Sequence, residues 1–68
     1  MITLFQLAVL YADWQIRLRS GMDYQRFGQY VVNTKFTGDV DSDLFYEEDP
    51  KKAYDIILER YCEEYING

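Results

Sequence analysis

Asp39, Asp41 and Asp43 stand in the D-x-D-x-D spacing that opens a calcium loop, and Glu47, Glu48 and Asp49 follow close behind. Carboxylates at alternate positions can converge on a hard cation. The remainder of the stretch departs from that chemistry. The position that needs a glycine is Leu44, and the closing position that needs a bidentate glutamate is Pro50. Short Asp and Ser side chains in such a stretch bond their own backbone and make turns. Residues 39–49 are therefore read as an acidic connector, with no metal and no cofactor expected.

Catalytic chemistry has few footholds. The chain has no histidine. That removes the commonest general base, the Ser-His and Cys-His pairs, and the usual transition-metal ligand. No G-x-x-x-x-G-K-[ST] or G-x-G-x-x-G motif occurs to cradle a phosphate. A hydrolytic carboxylate pair drawn from Glu47, Glu48, Asp49 and Asp55 would need a cleft that desolvates one member, and so short a chain encloses little volume. Cys62, the lone cysteine, has Glu59 and Glu63 as helical neighbours, and acids oppose thiolate formation. It reads as a small buried hydrophobe. No catalytic residue is assigned, and the expectation is a protein that is not an enzyme.

A binding role has more to draw on. Asp55, Glu59 and Glu63 recur every four residues, so they stack on one helical face. Glu47 and Glu48 lie just before that helix. The charge is unevenly spread. Residues 1–36 carry four bases against two acids, and residues 37–68 carry three against ten, giving +2 and −7. An acidic half disfavours nucleic acid as a direct ligand, because phosphate binding needs a basic face. It favours a protein with a basic patch. The partner-binding residues expected are Glu47, Glu48, Asp55, Glu59 and Glu63, joined by Leu10 on an apolar helix.

The elements that must position these groups are helices. "TLFQ" at 3–6 is a capping box, and Leu4, Leu7, Ala8, Tyr11, Trp14 and Leu18 follow at helical spacing up to the "SG" stop at 20–21. A second apolar row, Phe5, Val9, Ala12 and Ile16, runs beside the first. Only Gln6, Asp13 and Arg17 form a polar strip, interrupted by Leu10. A helix this widely apolar is either central to the fold or partly a contact surface, and weak self-association through Leu10 follows as an expectation.

The stretch "DYQRFGQYVVN" predicts a second helix capped by Asp23, with Tyr24, Phe27, Tyr30 and Val31 inward. Gly28 in its interior costs roughly 1 kcal/mol against alanine, which fits a place where another backbone approaches. "YVVNTKF" competes as a strand by its β-branched and aromatic content, but no second segment offers it a partner. Leu44, Phe45 and Tyr46 predict a short turn tucked into the core. "DP" at 49–50 is a strong start signal for a last helix running to about residue 66, with Tyr54, Ile57, Leu58, Tyr61 and Tyr65 buried and Ala53 and Ile56 at the edge. The expected architecture is one all-α domain over residues 1–68, a small three-helix bundle with an acidic connector before its last helix. The longest wholly apolar run, "LAVLYA", is too short for a membrane span. With no internal disulfide possible, a cytoplasmic setting is expected.

"ADWQIRLRSGMDYQRFGQYVVN", followed by "LFYEEDPKKAYDII", resembles small accessory proteins of tailed bacteriophages. In those, too, a Trp-containing first helix precedes an "RFGQ"-type segment and a later acidic "LFY" element. The resemblance implies a protein that binds and modulates a phage or host enzyme. It also leaves open an alternative, an inhibitor that imitates DNA and occupies the nucleic-acid cleft of a host defence protein. Mimicry needs carboxylates spread regularly over a long face, whereas here they cluster in one half.

Overall fold

A computed structural model of the chain describes residues 2–22, 24–36, 41–62 and 64–65. Among these, four helices follow one another: α1 (Leu4–Arg19), α2 (Phe27–Lys35), the single turn α3 (Ser42–Phe45) and α4 (Pro50–Tyr61). The fold is all-α. The three long helices are those expected, and α3 is the turn formed by Leu44 and its neighbours.

Helix α1 begins as its capping box dictates. The Thr3 hydroxyl accepts from Gln6 N at 3.0 Å, and Thr3 N donates to Gln6 Oε1 at 2.9 Å. Its end is a Schellman turn: Met22 N donates to Arg17 O and Gly21 N to Leu18 O. Gly21 takes φ +70°, the left-handed conformation that favours glycine there.

Helix α2 starts at Phe27, later than the Asp23 cap predicts; Asp23 itself lies outside the described residues. The cause is tertiary. Trp14 Nε1 donates to the Gln25 carbonyl at 2.8 Å, which holds residues 24–26 against α1 before the helix can begin. Tyr24, expected inward, is 83% exposed as a result. Residues 30–35 are helical, so the strand alternative does not hold.

Helix α2, not α1, is the central element. It packs on α1, α3 and α4. It buries Phe27, Gly28, Tyr30, Val31 and Val32, whereas the much longer α1 buries only Leu7, Leu10 and Trp14. Gly28 permits this: a Cβ there would lie 2.9 Å from the Leu44 carbonyl carbon and closer still to its oxygen. The close approach expected at Gly28 is thus the seat of α3. Leu44 is fully buried above it. Tyr11, Trp14, Phe27 and Tyr54 form one aromatic cluster joining α1, α2 and α4, with Tyr11 edge-on to Phe27 at 5.0 Å and to Tyr54 at 5.5 Å. Such pairs add about 0.5–1.5 kcal/mol each beyond area burial.

Helix α4 starts where Asp49–Pro50 predicts, Asp49 Oδ1 accepting from Lys51 N at 2.9 Å. It stops at Tyr61, short of the predicted residue 66. Ile2 N donates to the Tyr61 carbonyl at 2.8 Å, and Ile2 pairs in parallel with an extended Cys62. The pairing with Ile2 holds Cys62 extended and so ends α4 there, while Glu64 and Tyr65 are helical again. Tyr65, expected in the buried stripe, is 54% exposed. Ala53, expected at the stripe's edge, is fully buried beside Ile57, and so is Cys62, as expected of a structural thiol. No helix among the described residues is long and apolar enough to cross a membrane.

Candidate functional site

The carboxylates divide into those held by a cation and those that are not. Asp41 belongs to the first group. Its Oδ1 caps α3, accepting from Asp43 N at 3.1 Å and Leu44 N at 3.4 Å, while Arg60 Nη1 donates to Oδ2 at 2.8 Å and Tyr61 Oη to the same oxygen at 2.8 Å. Arg60 reaches Asp43 as well, at 3.2 Å. Burial disfavours the charged Asp41, but the bonds from Arg60, Tyr61 and Leu44 N outweigh it and hold the carboxyl below its ordinary pKa. The D-x-D-x-D stretch therefore does turn chemistry, as its residue types predict, and it also latches the connector to α4. Asp39 lies outside the described residues.

Asp13 is held in a similar way between α1 and α2. The Tyr30 hydroxyl and Arg17 Nε, at 3.2 Å, both donate to its Oδ2. The Tyr30 bond, then the Arg17 bond, lower its pKa against a smaller opposing effect of burial. The Tyr30 hydroxyl is shifted upward, by burial first and then by Asp13. Arg17 also lies over the Tyr30 ring, 5.7 Å from its centroid.

The second group includes Glu48, Asp55, Glu59 and Glu64. All four are exposed, and none forms an ion pair among the described residues. Asp55 and Glu59 follow each other by one turn on α4, as their spacing predicts. The helix's one arginine is drawn aside to the connector, and its two lysines, Lys51 and Lys52, stand one turn before Asp55 without forming an ion pair with it. Glu47 is half-buried, its carboxylate accepting from Asp49 N at 3.3 Å, so it shapes the turn ahead of α4. Glu63 lies outside the described residues. Leu10 is 6% exposed and belongs to the core. This corrects its expected place on a contact surface: α1 rolls so that Leu7, Leu10 and Trp14 point inward.

That roll leaves the second apolar row of α1 in solvent. Phe5 is 77% exposed, Ile16 62% and Val9 50%, with Ala12 exposed between them. A groove of about 340 Å³ runs between α1 and α2 beside this row, lined by Phe5, Gln6, Val9, Leu10, Asp13, Tyr30, Thr34 and Lys35. Its one carboxylate, Asp13, is committed to Tyr30 and Arg17 and is biased toward the ionised state, a poor arrangement for moving protons.

The acidic pair and the apolar row were both readable as helical spacings. The two latches were not. Asp13–Arg17 has i, i+4 spacing, but Tyr30 joins it from another helix, and Arg60 meets Asp41 across the connector. Comparisons with family models, with curated proteins and with solved structures returned no match.

Proposed function

We propose that the protein is a non-enzymatic binding module that recognises a protein with a basic patch through the acidic surface of α4, and that it works as an accessory protein modulating the enzyme it binds. The observation that carries this reading is the division of the carboxylates. Asp13 pairs with Arg17, and Asp41 and Asp43 share Arg60, while Asp55 and Glu59, with Glu48 nearby, form no ion pair among the described residues and keep their charge for an outside cation. Exposed charges of one sign raise the encounter rate with a complementary surface more than they deepen affinity. The same division favours a protein ligand over DNA mimicry, because the acids tied to Arg17 and Arg60 are lost from any phosphate-like array.

The test is affinity capture from host extract on two matrices, the natural protein and Asp55→Lys combined with Glu59→Lys. A partner of the expected kind is retained by the first and missing from the second, and leaves the first as rising salt shortens the Debye length. Circular dichroism checks that the double variant keeps its helicity. Retention of the same proteins by both matrices, independent of salt, would sink the reading.

A further inference from the structure

The outward row of α1 has a symmetry that the acidic surface lacks. Phe5, Val9, Ala12 and Ile16 are spaced by four, three and four, the alternation of a helix–helix seam. They lie on the side of α1 opposite the buried Leu7, Leu10 and Trp14, so the helix has one seam for its own core and one facing away. The outward seam is also self-complementary about its midpoint. Turned end for end on a second copy, it brings Phe5 against Ile16 and Val9 against Ala12, so the two bulkiest side chains meet at the ends and a small one meets a medium one in the middle.

The flank of the seam agrees with the same direction. Gln6 and Asp13 border it on the groove side, and Lys35 lines that groove with Phe5 and Gln6. An antiparallel pairing brings Asp13 of the second copy toward Gln6 and Lys35. Asp13 remains available for this, its side chain being 46% exposed despite its bonds to Arg17 and Tyr30. A parallel two-fold would instead turn the two groove flanks to opposite sides of the seam, so Asp13 would meet neither Gln6 nor Lys35 of the second copy.

We propose that this face is a self-association surface on which a second copy of the chain docks its own α1 antiparallel, Phe5 against Ile16 and Val9 against Ala12. Isologous pairing of this kind closes on itself and stops at a dimer. The area sets its strength. Phe5 offers on the order of 150 Å² of exposed ring, and the four seam residues with their flanks on the order of 400 Å² per copy, about half of the roughly 800 Å² per partner of a standard stable interface. The dimer is therefore weak and forms with rising concentration. It goes beyond the partner reading above and involves none of the α4 carboxylates.

Sedimentation equilibrium of the purified protein, up to millimolar concentration and with no partner present, tests this alone, so its failure and the failure of the α4 reading are distinguishable. The natural protein is expected to shift from monomer to dimer. Phe5→Lys and Ile16→Glu, each at a solvent-exposed position, should keep the helical spectrum and weaken the dimer by at least about tenfold, because each sets a charge against an apolar residue. The two changes combined restore dimerisation in the antiparallel register, where the new ammonium faces the new carboxylate; a parallel pair would oppose like charges twice. A natural protein that stays monomeric, single variants that dimerise unchanged, or a double variant that does not recover would each overturn the proposal.

Discussion

Replacing Gly28 by alanine sets two effects of known sign against each other. Alanine in a helix interior is favoured over glycine by about 1 kcal/mol. At Gly28 the added Cβ would stand 2.9 Å from the Leu44 carbonyl carbon and 3.1 Å from Leu44 Cδ1. Carbon atoms in contact normally sit about 3.5–4.0 Å apart, so α3 must retreat by something near 1 Å. The obstructing atoms are mainly backbone, which no rotamer change can move aside. Leu44 is fully buried at this point. A radial gap of about 0.5–1 Å forfeits a quarter to a half of the dispersion energy across it, and forced overpacking costs about 1–3 kcal/mol. Taking about 3 kcal/mol for a backbone clash and subtracting the propensity gain leaves a net loss near 2 kcal/mol. In a domain of this size that lowers Tm by roughly 8–16 °C. Thermal melts followed by circular dichroism measure it, with Thr34→Ala, an exposed position on the same helix, as the control expected to be neutral or slightly stabilising. A Gly28→Ala protein melting at or above the natural Tm would refute the close seating of α3 on α2.

Two further outcomes follow from the core and from the connector latch. Leu10→Glu should destroy cooperative folding, since it places an unpaired carboxylate among core side chains; a helical, cooperatively melting variant would return Leu10 to the surface. Asp41 has a folded pKa below its unfolded value of about 3.9. Its contribution to stability is therefore present above the unfolded pKa and is lost as pH falls through the folded one. Urea titrations should show Asp41→Asn less stable than the natural protein at pH 7, with the difference narrowing below about pH 4; a difference that stays constant with pH would count against the latch.

Local signals in the chain fixed local structure well. The Thr3–Gln6 box, the Asp49–Pro50 start and the glycine stop at Gly21 act within a few residues, and each forms where its residues predict. Gly28 was legible for a different reason: a glycine costly to its own helix implies a close neighbour, though the neighbour's identity was not readable. The misplaced features all depend on distant partners. Helix α2 starts late because Trp14 takes the Gln25 carbonyl, and α4 ends early because Cys62 is held extended against Ile2. The roll of α1 was ambiguous because its two apolar rows are equally hydrophobic. The choice between them is made by Phe27, Tyr30 and Tyr54, which no spacing within α1 encodes. The exposed α4 acids were legible as a surface because helical periodicity alone places them; which acids are neutralised was not, because Arg60 acts across the connector.

The pairing of Ile2 with Cys62 joins segments about sixty residues apart and so closes a loop that encompasses nearly the whole bundle. Loop-closure entropy makes such a contact among the last to form and among the first to open. Opening it frees the Tyr61 carbonyl, and the thiol of Cys62, buried at the same closure, is the group whose exposure would report it. The cysteine is thereby a built-in clock for fraying at this end of the fold. Its labelling rate by a thiol reagent would follow the Ile2–Cys62 pairing, and comparison with the rate of global unfolding would show how far the closure opens as a unit of its own.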